Sequence, residues 1–509
     1  MPTPIQLDVL LPVAAVLLAA FSYTIVRRVR SSYGGLPYPP GPKRIPIIGN
    51  LLDMPSCEEW VTYKKWSDQY GSDVVHVDVL GTHMVIVNSA KAANELFDKR
   101  SSIYSDRPSL VALNTILGMD WAAGFIPYGA RWRSLRRGLH AHFHPVAAKA
   151  YRPLEQHAVH RLLRNLLQAP ESFSQHLRHM AGQVILAIAY GIDVRPQGDP
   201  YVALAEKALH AVSLASSMGG GLFDLVPWLI HMPHWFPGAS FKREGRNWQP
   251  HVTAMIDEPY ALVQAALVDG TANSSVAATL TMQLNDKSTT EDIRLAKILP
   301  GNMYLGGADT TVAALQTFFL AMALYPDVQR AAHAEIDAVI GDSRLPDFSD
   351  KDKLPYVSAV LKEVLRWHPV VPLGIPHRVT KGDMYEGYYI PAGSIVIGNA
   401  WAIMHDPATF PEHTQFRPER WLAPGAPAFP DVAFGFGRRE CPGRFMAQES
   451  VWAAIVGVLA AFEISPVEDD PPKELFVSGI VAYPEPFKCL VHPRSEAFAA
   501  LVRATANES

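Results

Sequence analysis

The stretch Phe434-Gly435-Phe436-Gly437-Arg438-Arg439-Glu440-Cys441-Pro442-Gly443 sets a cysteine in a glycine-rich loop shortly before the apolar run Val451 to Phe462. Glycines allow tight turns and let a backbone come close to a flat cofactor. A cysteine at the start of a helix faces free backbone N–H groups and the positive end of the dipole, and both favour thiolate over thiol. Cys441 therefore has the setting of a soft anionic ligand, against the alternative of an inert buried thiol. A second constellation, Gly306-Gly307-Ala308-Asp309-Thr310-Thr311, interrupts an otherwise apolar helical run, where two glycines and two threonines cost helix stability. An acid beside an alcohol can pass protons into a site that excludes water. The alternative is a helix kink in which a threonine hydroxyl bonds a local carbonyl.

Two further pairs sit at helical spacing. Glu363 and Arg366 share one helix face at i, i+3, a pattern that by itself describes an ordinary solvated ion pair. Trp132 and Arg136, at i, i+4 in Trp132-Arg133-Ser134-Leu135-Arg136-Arg137, present an indole N–H and a guanidinium together, a pair able to bind a carboxylate.

The chain that must position these groups has 509 residues, 49% hydrophobic and 18% charged, ample for a large core and unlike a disordered chain. Forty-five basic against 49 acidic residues give a net charge of −4 with no long basic run, so nucleic acid is excluded as an expected partner. Three scattered cysteines, Cys57, Cys441 and Cys489, form no disulfide framework and point to a reducing compartment. The sequons at Asn273 and Asn507 are accordingly expected to stay unmodified. Val9 to Val26 is uncharged and about long enough to span a bilayer, and Arg27, Arg28 and Arg30 come directly after it. Basic residues after the span place the rest of the chain on the cytosolic side, and the lack of Lys or Arg before it argues against a cleaved leader. This divides the chain into a membrane anchor over 1–30, a Pro/Gly-rich neck over 31–46 and a catalytic domain over 47–509. Strand-like runs are expected at Val74 to Leu80, Met84 to Val87, Tyr388 to Ile390, Ser394 to Ile397, Ile480 to Tyr483 and Phe487 to Val491, with helices from about Ala90 to Leu365. The fold class is mainly α with a small β region.

The cysteine segment resembles the haem-binding signature F-x-x-G-x-R-x-C-x-G of the cytochrome P450 superfamily at Phe434, Gly437, Arg439, Cys441 and Gly443. The other landmarks of that superfamily occur in order along nearly the whole chain. The resemblance implies haem b ligated by Cys441, a thiolate that pushes electron density onto bound dioxygen and favours O–O cleavage. It further implies that Asp309 and Thr310 deliver protons beside glycines that leave room for dioxygen. Trp132, Arg136 and Arg439, with His377 or Arg378, would bind the haem propionates. Arg420 would join Glu363 and Arg366 in a structural network. The same resemblance assigns the substrate pocket to Phe125, Ile126, Leu305, Val370, Val371, Leu373, Ile375 and Ile480, an apolar lining suited to a hydrophobic small molecule.

The activity so implied is NADPH- and O2-dependent monooxygenation of such a molecule, for instance a terpenoid, with electrons from a separate NADPH-cytochrome P450 reductase. Cytochrome b5 is a second electron donor that the resemblance admits. No fused reductase is expected, because no G-x-G-x-x-G comes after a strand. Arg133, Arg137, Arg438 and Arg444 would form the basic patch for an acidic electron donor. The texture is most similar to fungal microsomal members of secondary metabolism, anchored in the endoplasmic reticulum membrane. Two other classes fit the same cysteine: a haem-thiolate isomerase or dehydratase, and a non-catalytic haem protein. The Asp309-Thr310 pair argues against both.

Overall fold

The computed structural model describes residues 35–216, 223–224, 227–231 and 240–508. The apolar segment Val9 to Val26 lies outside the described residues. Among those described, one helix is long and apolar enough to cross a membrane, and it is a core helix, Thr290–Leu324, 78% of whose apolar window is buried.

A four-stranded sheet stands to one side of a mainly helical body. Its strands are β1 (Val74–Val79), β2 (Thr82–Val87), β3 (His377–Arg378) and β4 (Ile395–Gly398). The order is β1-β2-β4-β3, with β1 antiparallel to β2, β2 parallel to β4, and β4 antiparallel to β3. The parallel pair joins residues about three hundred positions apart and carries His377 to the edge of the helical body. The first two strand expectations match closely, and Tyr388–Ile390 is a strand as expected. The strand expected over Ile480 to Tyr483 is shorter: only Tyr483–Pro484 pairs, because Gly479 to Val481 form the turn.

Five helices matter for the site: α1 (Ala130–Phe143), α2 (Phe173–Tyr190), α3 (Thr290–Leu324), α4 (Pro355–Trp367) and α5 (Arg444–Ala461). Helix α3 begins at a capping box in which the Thr289 hydroxyl accepts the Asp292 N–H and the Asp292 carboxylate accepts the Thr289 N–H. It runs through the core, packed against α2 over much of its length. Gly307 makes that approach possible, since a Cβ there would lie 2.8 Å from Ile185 of α2. Helix α5 is buried from Ser450 to Ala461, as its unbroken apolar run requires.

The Pro/Gly-rich residues from 37 to 41 are laid along the sheet. Tyr389 N donates to the Pro37 carbonyl (2.8 Å) and His76 N to that of Pro40 (2.9 Å). Gly41 lies so close to β1 that a Cβ would sit 2.0 Å from the His76 carbonyl oxygen. Asn273, the first sequon, is part of the fold: its side chain donates to the Gly191 carbonyl (2.8 Å), and Ser275 caps the helix Val276–Met282.

Candidate active site

The cysteine loop is fixed to the sheet by an aromatic plug. Phe436 packs on Phe97 with ring centroids 4.8 Å apart, and it fills the space over Gly398 of β4, where a Cβ would clash at 2.2 Å. Gly437 adopts φ +54° with the Phe97 carbonyl oxygen 2.2 Å from where its Cβ would be, so only glycine fits. Cys441 N donates to the Phe434 carbonyl (2.7 Å), which closes the loop and sets the sulfur just ahead of α5.

A cavity of about 380 Å³ lies between this loop and α3. Cys441, Phe434 and Gly443 line one side, and Leu305, Gly306, Asp309 and Thr310 line the other. Gly306 has open space where a Cβ would be, whereas Gly307 is taken up by Ile185. Both glycines expected to leave room for dioxygen line the cavity, Gly306 openly and Gly307 against Ile185, which lines it as well. The Thr310 hydroxyl donates to the Gly306 carbonyl (2.7 Å), the local bond of a threonine in a helix, and its lone pairs stay available to the cavity.

Asp309 is joined by two residues that sequence reasoning missed. Arg178 of α2 comes within 3.5 Å of its carboxylate, and the Tyr483 hydroxyl donates to its backbone carbonyl at 3.5 Å. The Arg178 guanidinium also lies over the Tyr483 ring, 5.7 Å from its centroid. Burial pushes the Asp309 carboxyl above its ordinary value, and Tyr483 and Arg178 offset part of that rise.

At the opposite end of the cavity, cations gather with few acids. Arg439 spends its guanidinium on the carbonyls of Ser105 (2.8 Å), Ala123 (3.1 Å) and Ile126 (3.0 Å), and it stacks on Trp132 at 4.5 Å. Burial lowers its pKa to about 10. Arg136 reaches Glu440, and burial lowers it as well. His377 is buried, held through Nδ1 at 2.7 Å from the Tyr104 carbonyl, and pushed well down by burial and by Arg107. Arg107 was not anticipated; it is buried among the carbonyls of Gly124, Ile375 and Pro376 and lines the cavity. These residues suit the anionic edge of a flat macrocycle whose metal would meet Cys441, so the site fits haem. Burial also pushes the Cys441 thiol up, and the Gly443 N–H and Arg136 only partly oppose it. The direction of the shift is thus opposite to the one that the helix start was expected to impose.

Several expected residues lie elsewhere. Arg378 turns outward, 47% exposed, toward Asp106 at 3.9 Å, because alternate strand residues face opposite sides. Ile126 and Leu373 are packed in the core and do not line the cavity, and Gly437 faces an outer hollow instead. Phe125, Leu305, Val370, Val371, Ile375 and Ile480 do line it. Arg133, Arg137 and Arg438 are exposed around that hollow of about 460 Å³. Arg444 is drawn aside to Asp431 and Glu440, each at 3.2 Å.

Behind the cavity, Glu363 is wholly buried. Its carboxylate accepts Arg366 Nε (3.0 Å) and Nη2 (2.8 Å), Arg420 Nε (3.1 Å), the Arg417 backbone N–H (2.9 Å) and the Trp421 indole N–H (2.9 Å). The remaining Arg366 and Arg420 hydrogens go to carbonyls between Met404 and Gln415. The network pins α4 to the segment that leads to the cysteine loop.

Residues 39–491 match the family described as Cytochrome P450. The chain belongs to the cytochrome P450 family. It is 42% identical over 488 residues to a cytochrome P450 monooxygenase of Armillaria gallica, covering 94% of this chain and 96% of that one. It is also 42% identical over 485 residues to the cytochrome P450 monooxygenase COX2 of Coprinopsis cinerea, covering 93% and 92%. A tryptamine 4-monooxygenase of Psilocybe cyanescens is 36% identical over 503 residues, covering 96% and 98%. The protein is thus an enzyme of the P450 monooxygenase class, with haem as its cofactor and a redox partner as its source of electrons.

Proposed function

We propose that this P450 hydroxylates, or oxidises in a related way, a hydrophobic secondary metabolite such as a terpenoid. NADPH would supply the electrons through a separate membrane-bound reductase. The observation that carries the reading is the largely apolar cavity that has Cys441 on one side and Gly306 to Thr310 on the other. Haem, when bound, supplies activation of dioxygen and insertion of one oxygen atom. The rest falls to the chain. Cys441 is assigned as the iron ligand, with Trp132, Arg136, Arg439 and His377 neutralising the propionate edge. The apolar wall orients substrate and keeps water out. Thr310 and Asp309 handle protons, with the Thr310 hydroxyl oriented by the Gly306 carbonyl and Asp309 held between Arg178 and Tyr483. The exposed arginines around the outer hollow suit an acidic reductase, and Val9 to Val26 suits an anchor in the endoplasmic reticulum membrane with the catalytic domain cytosolic.

The test has two arms. Reduced, CO-treated wild type should show the red-shifted Soret band of a thiolate-ligated haem, and Cys441→Ala should lose it; retention of the band would remove Cys441 as ligand. Thr310→Ala should still accept electrons but release much of the reduced oxygen as peroxide, on the scale of the roughly 10² to 10⁴ typical of general acid-base contributions. Unchanged product per NADPH would take Thr310 out of the mechanism, and turnover without dioxygen would favour an isomerase.

A further inference from the structure

Most polar side chains on the distal wall of the cavity have a partner within the fold, though the Thr310 hydroxyl keeps its lone pairs and Asp309 part of its bonding capacity. The Asn302 carboxamide accepts the Ala123 N–H (2.6 Å) and donates to the carbonyls of Trp121 (3.2 Å) and Ile298 (2.7 Å). The Thr310 hydroxyl is bonded to Gly306, the Tyr483 hydroxyl to Asp309, and the Asp309 carboxylate is matched by Arg178. Among the described residues, two hydroxyls on this wall carry no partner, those of Thr311 and Ser213. Thr311 is only 9% exposed. Ser213, on the helix Pro200–Ser216, is exposed at the cavity beside the Gly479–Val481 turn, where a Cβ on Gly479 would lie 3.7 Å from the serine oxygen. Around them the wall is hydrocarbon: Val184, Val212, Met303, Leu305, Val371 and Ile480.

We propose that this cavity selects an uncharged, mainly hydrocarbon scaffold carrying one hydroxyl or carbonyl oxygen, and that Ser213 holds that oxygen. This rests on the monooxygenase reading above and specifies its substrate. A substrate ammonium would have to leave water and find a free carboxylate, and the only one on this wall among the described residues, Asp309, already faces Arg178; an unpaired charge in an apolar site is strongly disfavoured. A substrate carboxylate fares no better, because Arg107, Arg136 and Arg439 lie at the Cys441 end, where the haem edge would occupy them, and Arg178 already faces Asp309. A neutral oxygen satisfies Ser213, which a plain hydrocarbon would bury without a partner. The cavity is therefore suited to a later oxidation of a scaffold that an earlier oxygenation or hydration has already functionalised. It is ill suited to a charged aliphatic amine such as tryptamine, which the name of the Psilocybe relative gives.

Equilibrium dialysis of the haem-loaded full chain against four probes with one rigid skeleton tests this: adamantane, 1-adamantanol, 1-adamantyltrimethylammonium and adamantane-1-carboxylate. The quaternary ammonium cannot ligate iron, so it reports only on the wall. Adamantane and adamantanol should bind, and the two ions should bind at least about a hundredfold more weakly than adamantanol. Ser213→Ala, a change at an exposed helix position, should weaken adamantanol about fivefold, as expected for one neutral hydrogen bond of about 1 kcal/mol, and leave adamantane unchanged. An ammonium that binds as tightly as adamantanol overturns the neutrality of the site. Adamantanol binding unaffected by Ser213→Ala overturns the assignment to Ser213. Failure of all four probes would overturn the apolar-pocket reading itself, on which the proposed function also depends.

Discussion

Glu363 and Asp309 are both carboxylates on core helices that face guanidinium groups, yet they are held very differently. Glu363 accepts hydrogen bonds from Arg366, Arg420, Trp421 and the Arg417 backbone, and none of its surface is open. Asp309 has one guanidinium at 3.5 Å and a place on the wall of a cavity, and its carboxyl is pushed up by burial. A carboxylate whose lone pairs are all used can only hold structure. One that retains unused bonding capacity, with its charge costly to keep, can take up and release a proton. A third acid, Glu155, marks the extreme: it is buried, among the described residues its carboxylate accepts one hydrogen bond, from Ser450 Oγ at 2.5 Å, and burial raises its pKa to about 7.

The largest effect should come from breaking the saturated member. Glu363→Ala leaves Arg366 as an uncompensated buried charge and should cost about 3–5 kcal/mol, read by denaturant unfolding and by loss of haem-loaded protein. Survival of normal loading would show that the network is not what pins the cysteine loop.

Glu155→Gln should stabilise the protein in a pH-dependent way. The folded carboxyl stays neutral up to about pH 7 while the unfolded one ionises near its ordinary 4.5, so wild-type stability falls as pH rises between these values. The variant should show little difference below about pH 4 and a gain of at most about 3 kcal/mol at about pH 8, measured as Tm against pH. A gain independent of pH would mean that packing, not charge, is responsible.

Trp421→Phe removes a single donor from Glu363 and should cost about 2 kcal/mol, without altering spectra of the loaded enzyme. The smallest change is expected at Arg178. Because this guanidinium, with Tyr483, holds the Asp309 carboxyl down against burial, Arg178→Gln should move the Asp309-dependent limb of the rate profile to higher pH, with Arg178→Lys restoring part of it. A profile that does not move would separate Arg178 from proton handling and leave it a surface residue of α2.

The cysteine loop was legible from the sequence because its determinants are local: turn glycines, a cysteine and an ensuing helix lie close together in the chain. Glu363 with Arg366, and Trp132 with Arg136, were legible for the same reason, since helical periodicity fixes which neighbours share a face. The mainly α fold with a small β region was readable from the alternation and apolar runs. The tertiary structure alone decided the rest. Phe436 over Gly398, Arg178 beside Asp309, Trp421 on Glu363 and Arg107 under the cavity join residues from distant parts of the chain, and no local pattern encodes such meetings. Packing also separated residues that sequence had grouped. Gly306 faces open space while Gly307 meets Ile185, and His377 turns in while Arg378 turns out. In each case adjacent residues on one element necessarily point to different sides, and only the neighbours folded against that element determine which side becomes the site.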